Sequence, residues 1–184
     1  SVYCKSVDGS YSKLDAELVR NYGDYGRADV IGVKAGTYQF KIVPVDEEGT
    51  EMTGQAVESS TFEVKAHDRA GFAHFNYSGV GAYKDDGTLK DNAKVLYVTS
   101  KTAKTVTCPV VTDNKGKVET FTGLQTIIDA RQKGYDTTPL VIRIIGLIEA
   151  NDMDHFSSSA EGLQIKGKNA NSEMNITLEG VGND

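Results

Sequence analysis

The sequence predicts a mostly β chain in two parts: a small antiparallel sandwich, then the opening of a parallel sheet beneath one helix. Three observations lead there. Short alternating or β-branched runs recur at hairpin spacing through the first third. The segment TGLQTIIDARQKG has helical periodicity and end signals. The run LVIRIIGLI after it is apolar at nearly every position, as a strand covered on both faces must be.

Val2 to Val64 reads as all-β. Its strand-like pieces are SVYCKSV, ADVIGV, TYQFKIVPV and SSTFEVKA. Asp8-Gly9 and Glu48-Gly49 follow the first and third pieces as hairpin-type turns. In the third piece Tyr38, Phe40 and Ile42 share one face, and Gln39, Lys41 and Val43 the other, the pattern of a half-buried strand. Pro44 has no amide hydrogen for a ladder, so this strand lies at an edge or ends there. A short helical turn is expected at Leu14 to Val19, then a loop holding Tyr22 and Tyr25.

The order of these phrases resembles the last half of a fibronectin type III domain. Ala-Gly-Thr-Tyr-Gln-Phe-Lys-Ile-Val-Pro-Val-Asp matches that family's penultimate-strand phrase, with Pro44 where alanine is usual. The resemblance implies a partial fibronectin type III-like sandwich over residues 1–68, its first strands shortened or lying before residue 1.

Lys65 to Gly81 is a polar, glycine-containing connector, and the boundary is expected near Ala66 to Ala70. His67 and Asp68 are sequence neighbours, which rarely face each other productively, so they read as linker residues. Asp85-Asp86-Gly87 reads as a turn, because the stretch lacks the alternating acidic ligands of a calcium loop. The alternating run AKVLYVTSKT, the β-rich TAKTVTCPVV and a turn at Thr112 to Gly116 follow.

The region from Phe121 to Gly134 is the strongest helix signal. Thr122 is the expected N-cap, and Gln125 completes a capping box. Leu124, Ile127, Ile128 and Arg131 fall on one face. Gly134 supplies the left-handed stop, with Arg131 and Lys133 near the negative end of the dipole. A strand over Leu140 to Ile148 is expected, apolar on both faces apart from Arg143. A polar interval then carries Asp152, Asp154 and His155, with a short strand candidate at Leu163 to Ile165. The next strand is Met174 to Leu178, closed by Gly180-Val181-Gly182.

Helix GLQTIIDA, strand PLVIRIIGLIE and strand NITLEGVGND, in that order, resemble the opening of the pectate lyase family of right-handed parallel β-helices. Asn175, Thr177, Leu178, Gly180 and Gly182 fit that family's "Asn-x-Thr-Ile-x-Gly-x-Gly" strand. The resemblance implies a helix-capped first coil of a right-handed parallel β-helix over residues 69–184. Joined to a fibronectin-like module, it is similar to lyases secreted by bacteria that degrade plant pectin. It implies β-elimination of polygalacturonate with calcium in the full-length parent. The calcium-binding aspartates and the arginine base lie on later coils in that family. No residue here matches those motifs, so no catalytic or metal residue is assigned and the chain alone is expected to be inactive. A polygalacturonase-like hydrolase and a non-catalytic carbohydrate-binding or structural module are the alternatives.

Asp152, Asp154 and His155 read as a solvated loop, and Arg143 as a stem packed on the first coil with its head paired or in water. Ile142, Ile144, Leu147, Ile176 and Leu178 need a next rung, so the chain is expected to be a piece that meets the remainder of the β-helix, or a second copy, at an open edge. The net charge of −6 with scattered lysines and arginines gives no electrostatic footprint for nucleic acid. No apolar run approaches a membrane span. The chain opens on the strand-like SVYCKSVDGS with no signal peptide, which for a secreted protein implies a mature or trimmed chain. The lyase resemblance implies such a location, outside the cell, at the cell surface or in the periplasm. Cys4 and Cys108 are far apart and read as two separate thiols, with a disulfide as the alternative.

Overall fold

The computed structural model describes residues 1–68, 70, 81–156, 162–165 and 174–182. Most of the connector and much of the polar interval after Phe156 lie outside those residues. The chain divides into two compact units, Ser1–Ser78 with Lys84–Thr88, and Gly79–Tyr83 with Leu89–Asp184. The described secondary structure is mostly β, in several small sheets with one α-helix and no closed barrel.

In the first unit β1 (Val2–Ser6), β2 (Ser12–Lys13), β5 (Gly36–Ile42), β6 (Val57–Glu58) and β7 (Phe62–Val64) form one antiparallel sheet. The order is β2-β1-β5-β6, with β7 also on β5. The strands β3 (Val19–Asn21) and β4 (Gly26–Ala28) form a separate ribbon. The Asp8-Gly9 turn joins β1 to β2, with the Gly9 amide donating to the Ser6 carbonyl at 2.9 Å. Pairing of Cys4 with Phe40 and of Tyr38 with Phe62 puts the apolar side chains on one face, where Phe40 and Phe62 stack at 4.8 Å. On the other face the Lys41 ammonium sits between the Tyr3 and Tyr11 rings, 4.6 and 4.8 Å from their centroids.

Two expectations change here. The strand expected over ADVIGV stops at Ala28. Asp29 turns back to hold Arg27, and Gly32 takes φ +76°, a conformation a strand does not continue through. Val30, Ile31 and Val33 instead line a cleft of about 550 Å³ with Cys4, Leu14 and Leu18. The alternation of the third piece also fails at its end: Ile42 is 52 % exposed and Val43 only 2 %. The strand ends at Ile42, two residues before Pro44, and Val43 leaves the pleat to donate its amide to the Ser1 carbonyl.

In the second unit β8 (Lys94–Val98), β11 (Leu140–Ile145) and β12 (Ile176–Val181) form a parallel sheet in the order β12-β11-β8. Their registers coincide, so each position stacks on its counterpart: Leu96, Ile142 and Leu178 form one column, and Tyr97, Arg143 and Glu179 the next. The segment between β8 and β11 carries the hairpin of β9 (Thr107–Val111) and β10 (Val118–Thr122), then α1 (Leu124–Arg131). Leu124, Ile127 and Ile128 of α1 pack with Val98, Cys108, Val110, Leu140 and Ile142 in one core. Burying these side chains stabilises each by about 1.5–3 kcal/mol relative to exposure.

The central strand is covered on both faces as its composition requires: Leu140, Val141 and Ile142 are fully buried and Arg143 nearly so. It is shorter than expected, because Gly146 turns at φ +72° and leaves Leu147 75 % exposed. Leu163 to Ile165 form no strand. Among the described residues β12 pairs only with β11, and Leu178 at its free edge is 43 % exposed. Among the described residues no helix is long and apolar enough to cross a membrane.

Candidate functional site

Polar groups of the second unit gather at three places, the amino end of α1, the outward column of the parallel ladder and the carboxyl end of α1.

The helix begins later than the sequence suggests. Thr122 closes β10, paired with Thr107, and the N-cap is Gly123 at φ +96°, with no side-chain cap of its own. The capping box of Thr122 and Gln125 therefore does not form. The orphan amides of Gln125 and Thr126 are satisfied from 29 and 28 residues away: Asp154 Oδ1 and Oδ2 accept them, each at 3.0 Å, and Oδ2 also accepts the Thr126 hydroxyl at 2.7 Å. Burial pushes the Asp154 carboxyl up, but those donors outweigh it and hold its pKa below the ordinary range. Gln125, freed from capping, is fully buried; its Nε2 donates to Asp129 Oδ1 at 2.8 Å and its Oε1 accepts the Gln164 amide at 3.3 Å.

His155 lies beside this cap. Its Nδ1 is 3.1 Å from Asp154 Oδ2 and its Nε2 is 3.1 Å from Asp129 Oδ2. Asp152, two residues before Asp154, does a different job. It accepts the Glu149 amide at 2.8 Å and closes a single 3-10 turn over Ala150–Asp152. The expected solvated loop is thus a strap whose acids satisfy backbone amides, and Asp154 and Asp152 do not converge. Among the described residues, no group of three or more His, Cys, Asp or Glu side chains is arranged to hold a metal ion.

Arg143 sits in the outward column of the ladder. Its Nε donates to Glu179 Oε1 at 2.8 Å, Nη1 to the Tyr97 hydroxyl at 2.9 Å and Nη2 to the Tyr83 hydroxyl at 3.3 Å. The Tyr83 hydroxyl itself donates to Glu179 Oε1 at 2.7 Å. Burial opposes the charge on Arg143, but Glu179 and the two hydroxyls outweigh it and raise its pKa above the ordinary value. A guanidinium so held is no proton acceptor. The paired-head reading of Arg143 holds.

A second arginine is deeper than expected. The sequence places Arg131 near the negative end of the α1 dipole. It is completely buried, its Nη1 3.0 Å from Asp136 Oδ1 and its Nη2 donating to the carbonyls of Thr138 and Met174 at 2.7 and 2.6 Å. Burial opposes ionisation of Asp136, yet the Val111 amide, Thr138 and Arg131 hold its pKa below the ordinary range. This pair joins the end of α1 to β9, to the start of β11 and to the residue two before β12. Nothing in the sequence marked Asp136; a buried acid five residues from a buried arginine is visible only once both are placed.

An apolar groove of about 520 Å³ opens between the amino end of α1 and the end of β11, lined by Leu124, Ile144, Leu147, Ile148, Met153 and Phe156 among others. The other residues singled out by the sequence are engaged locally. Asp68 accepts the Ala70 amide, and Asp86 accepts from Thr88 within its turn. Tyr22 and Tyr25 stack on each other at 5.3 Å across the β3–β4 turn. Cys4 and Cys108 are free and buried, one in each unit.

Compared with known proteins, the chain matches no family model, no curated protein and no solved structure.

Proposed function

We propose that this chain is the N-terminal part of a secreted, calcium-dependent pectate lyase that cleaves polygalacturonate by β-elimination. In this reading the second unit is the cap and first coils of a right-handed parallel β-helix, and the first unit is a fibronectin type III-like module. The observation that carries it is the in-register parallel ladder of β8, β11 and β12 with its apolar interior closed by α1. Coil-on-coil stacking produces that ladder, and the free edge of β12 with exposed Leu178 suits a further rung from the remainder of the β-helix or from a second copy. The described residues offer no calcium donor set and no free arginine base, so no chemical step is assigned to them.

The alternatives are a non-catalytic carbohydrate-binding or structural module and part of a polygalacturonase-like hydrolase. The full-length natural gene product, assayed on polygalacturonate with calcium and then with chelator, separates the readings. Chelator-sensitive release of unsaturated uronates is expected. Saturated products would point to a hydrolase instead, and pectin binding without cleavage would leave the module. The 184-residue chain alone is expected to release no product.

A further inference from the structure

We propose that His155 makes the strap of residues 149–156 a pH-sensitive latch on the amino end of α1. The imidazole bridges two carboxylates, Asp154 on its own strap and Asp129 on α1, at 3.1 Å each. A carboxylate oxygen only accepts, so both ring nitrogens must donate for both bonds to exist. The imidazolium has two N–H groups and the neutral ring has one, so losing the proton removes one of the two bonds.

Among the described residues the surrounding groups offer no substitute. On α1 the Thr126 hydroxyl is 3.4 Å from Nδ1, but it also donates to Asp154. Gln125 and Gln132 both donate to Asp129 Oδ1 at 2.8 Å and hold that carboxylate in place whether or not His155 is charged. Arg131 is turned away to Asp136, and Asp152 is engaged with the Glu149 amide. Of the two imidazole bonds, the one to Asp129 runs from the strap to α1, so it is the bond whose loss loosens the latch.

The strap carries the only side-chain cap that α1 has among the described residues, since Gly123 supplies none. It also seats Met153 in the core and Phe156 against it, where both line the apolar groove beside Leu124. Loosening the strap weakens the helix cap and widens that groove together. His155 is about half exposed, so solvent limits the effect to a shift in local opening rather than unfolding of the unit.

The test is amide hydrogen exchange of Gln125 and Thr126 by NMR, corrected for the intrinsic pH dependence of exchange. The imidazole resonances of His155 report its titration in the same samples. In the native chain, protection of these two amides should fall roughly three- to ten-fold as His155 loses its proton. Amides of the β9–β10 hairpin should not change over that range. In H155Q, protection should be pH-independent and near the high-pH level of the native chain. D129N provides an independent variant and should lose most of the pH dependence. Equal protection on both sides of the His155 titration, or an H155Q or D129N protein that keeps the native pH dependence, would overturn the proposal.

Discussion

The carboxylate of Asp154 occupies the space that a side chain at Gly123 would need: an ideal Cβ on Gly123 would lie 2.5 Å from Asp154 Cγ. Gly123 also sits at φ +96°, a region that costs other residues about 1–3 kcal/mol. Turn and cap are therefore one construction. The glycine lets the chain pass from β10 into α1 while leaving room for the acid that caps the helix.

Replacement of Gly123 by alanine should destabilise the second unit by the backbone cost and by displacing the cap. D154A alone should cost about 0.5–2 kcal/mol, the usual worth of a side-chain cap. Because both changes remove the same contact, the double variant should fall short of the sum. Denaturant midpoints for the four proteins of this cycle provide the check; strict additivity would mean that Gly123 acts through its backbone conformation alone.

Arg143 and Glu179 should behave as an unequal pair. R143M leaves Glu179 with the Tyr83 hydroxyl but without its cation and should cost about 3 kcal/mol, the low end for breaking a buried pair. The low end applies because the Glu179 side chain is 22 % exposed. The double change R143M with E179Q removes the stranded charge and should recover part of the loss. Urea unfolding of the two variants measures the difference.

Tyr83 gives the second unit an alkaline limit. Burial, with the Glu179 carboxylate as acceptor, pushes its pKa from the ordinary 10.0 up to about 12, against the opposing pull of Arg143. The folded state thus holds this proton more tightly than the unfolded chain. The resulting stability is fully present below pH 10 and is lost as pH rises through about 12. Stability measured across that window should decline less steeply in Y83F than in the native chain.

Glu51 gives the first unit an acid limit. Lys13 at 2.6 Å and the Tyr3 hydroxyl lower its pKa from 4.5 to about 2. Here the unfolded chain binds the proton more readily, so the contribution is present above pH 4.5 and is lost as pH falls toward about 2. E51Q should flatten the acid side of the melting profile. Added salt should reduce the difference between the two proteins, because the site is open to solvent.

Local sequence rules were enough for the features whose cause is local. The Asp8-Gly9 turn, the end of β5 before Pro44, the turn closed by Gly134 and the two-faced burial of β11 follow from backbone conformation, the missing proline amide and side-chain periodicity within a few residues. The parallel character of β11 was legible too, since only a strand covered on both faces can carry Leu140 to Ile145.

What the sequence by itself determined is a mostly β chain with one capped helix followed by strands of a parallel sheet. The tertiary structure decided which groups satisfy which. It put Asp154 rather than Thr122 on the helix amides, sealed Arg131 against Asp136, and aligned Tyr97, Arg143 and Glu179 across three strands. The physical reason is that a buried polar group must find a partner wherever the fold supplies one. The Asp154 cap and the Tyr97–Arg143–Glu179 column join residues tens of positions apart, while Arg131 and Asp136, close in sequence, meet only once the end of α1 is folded; a spacing rule read along the chain reaches neither.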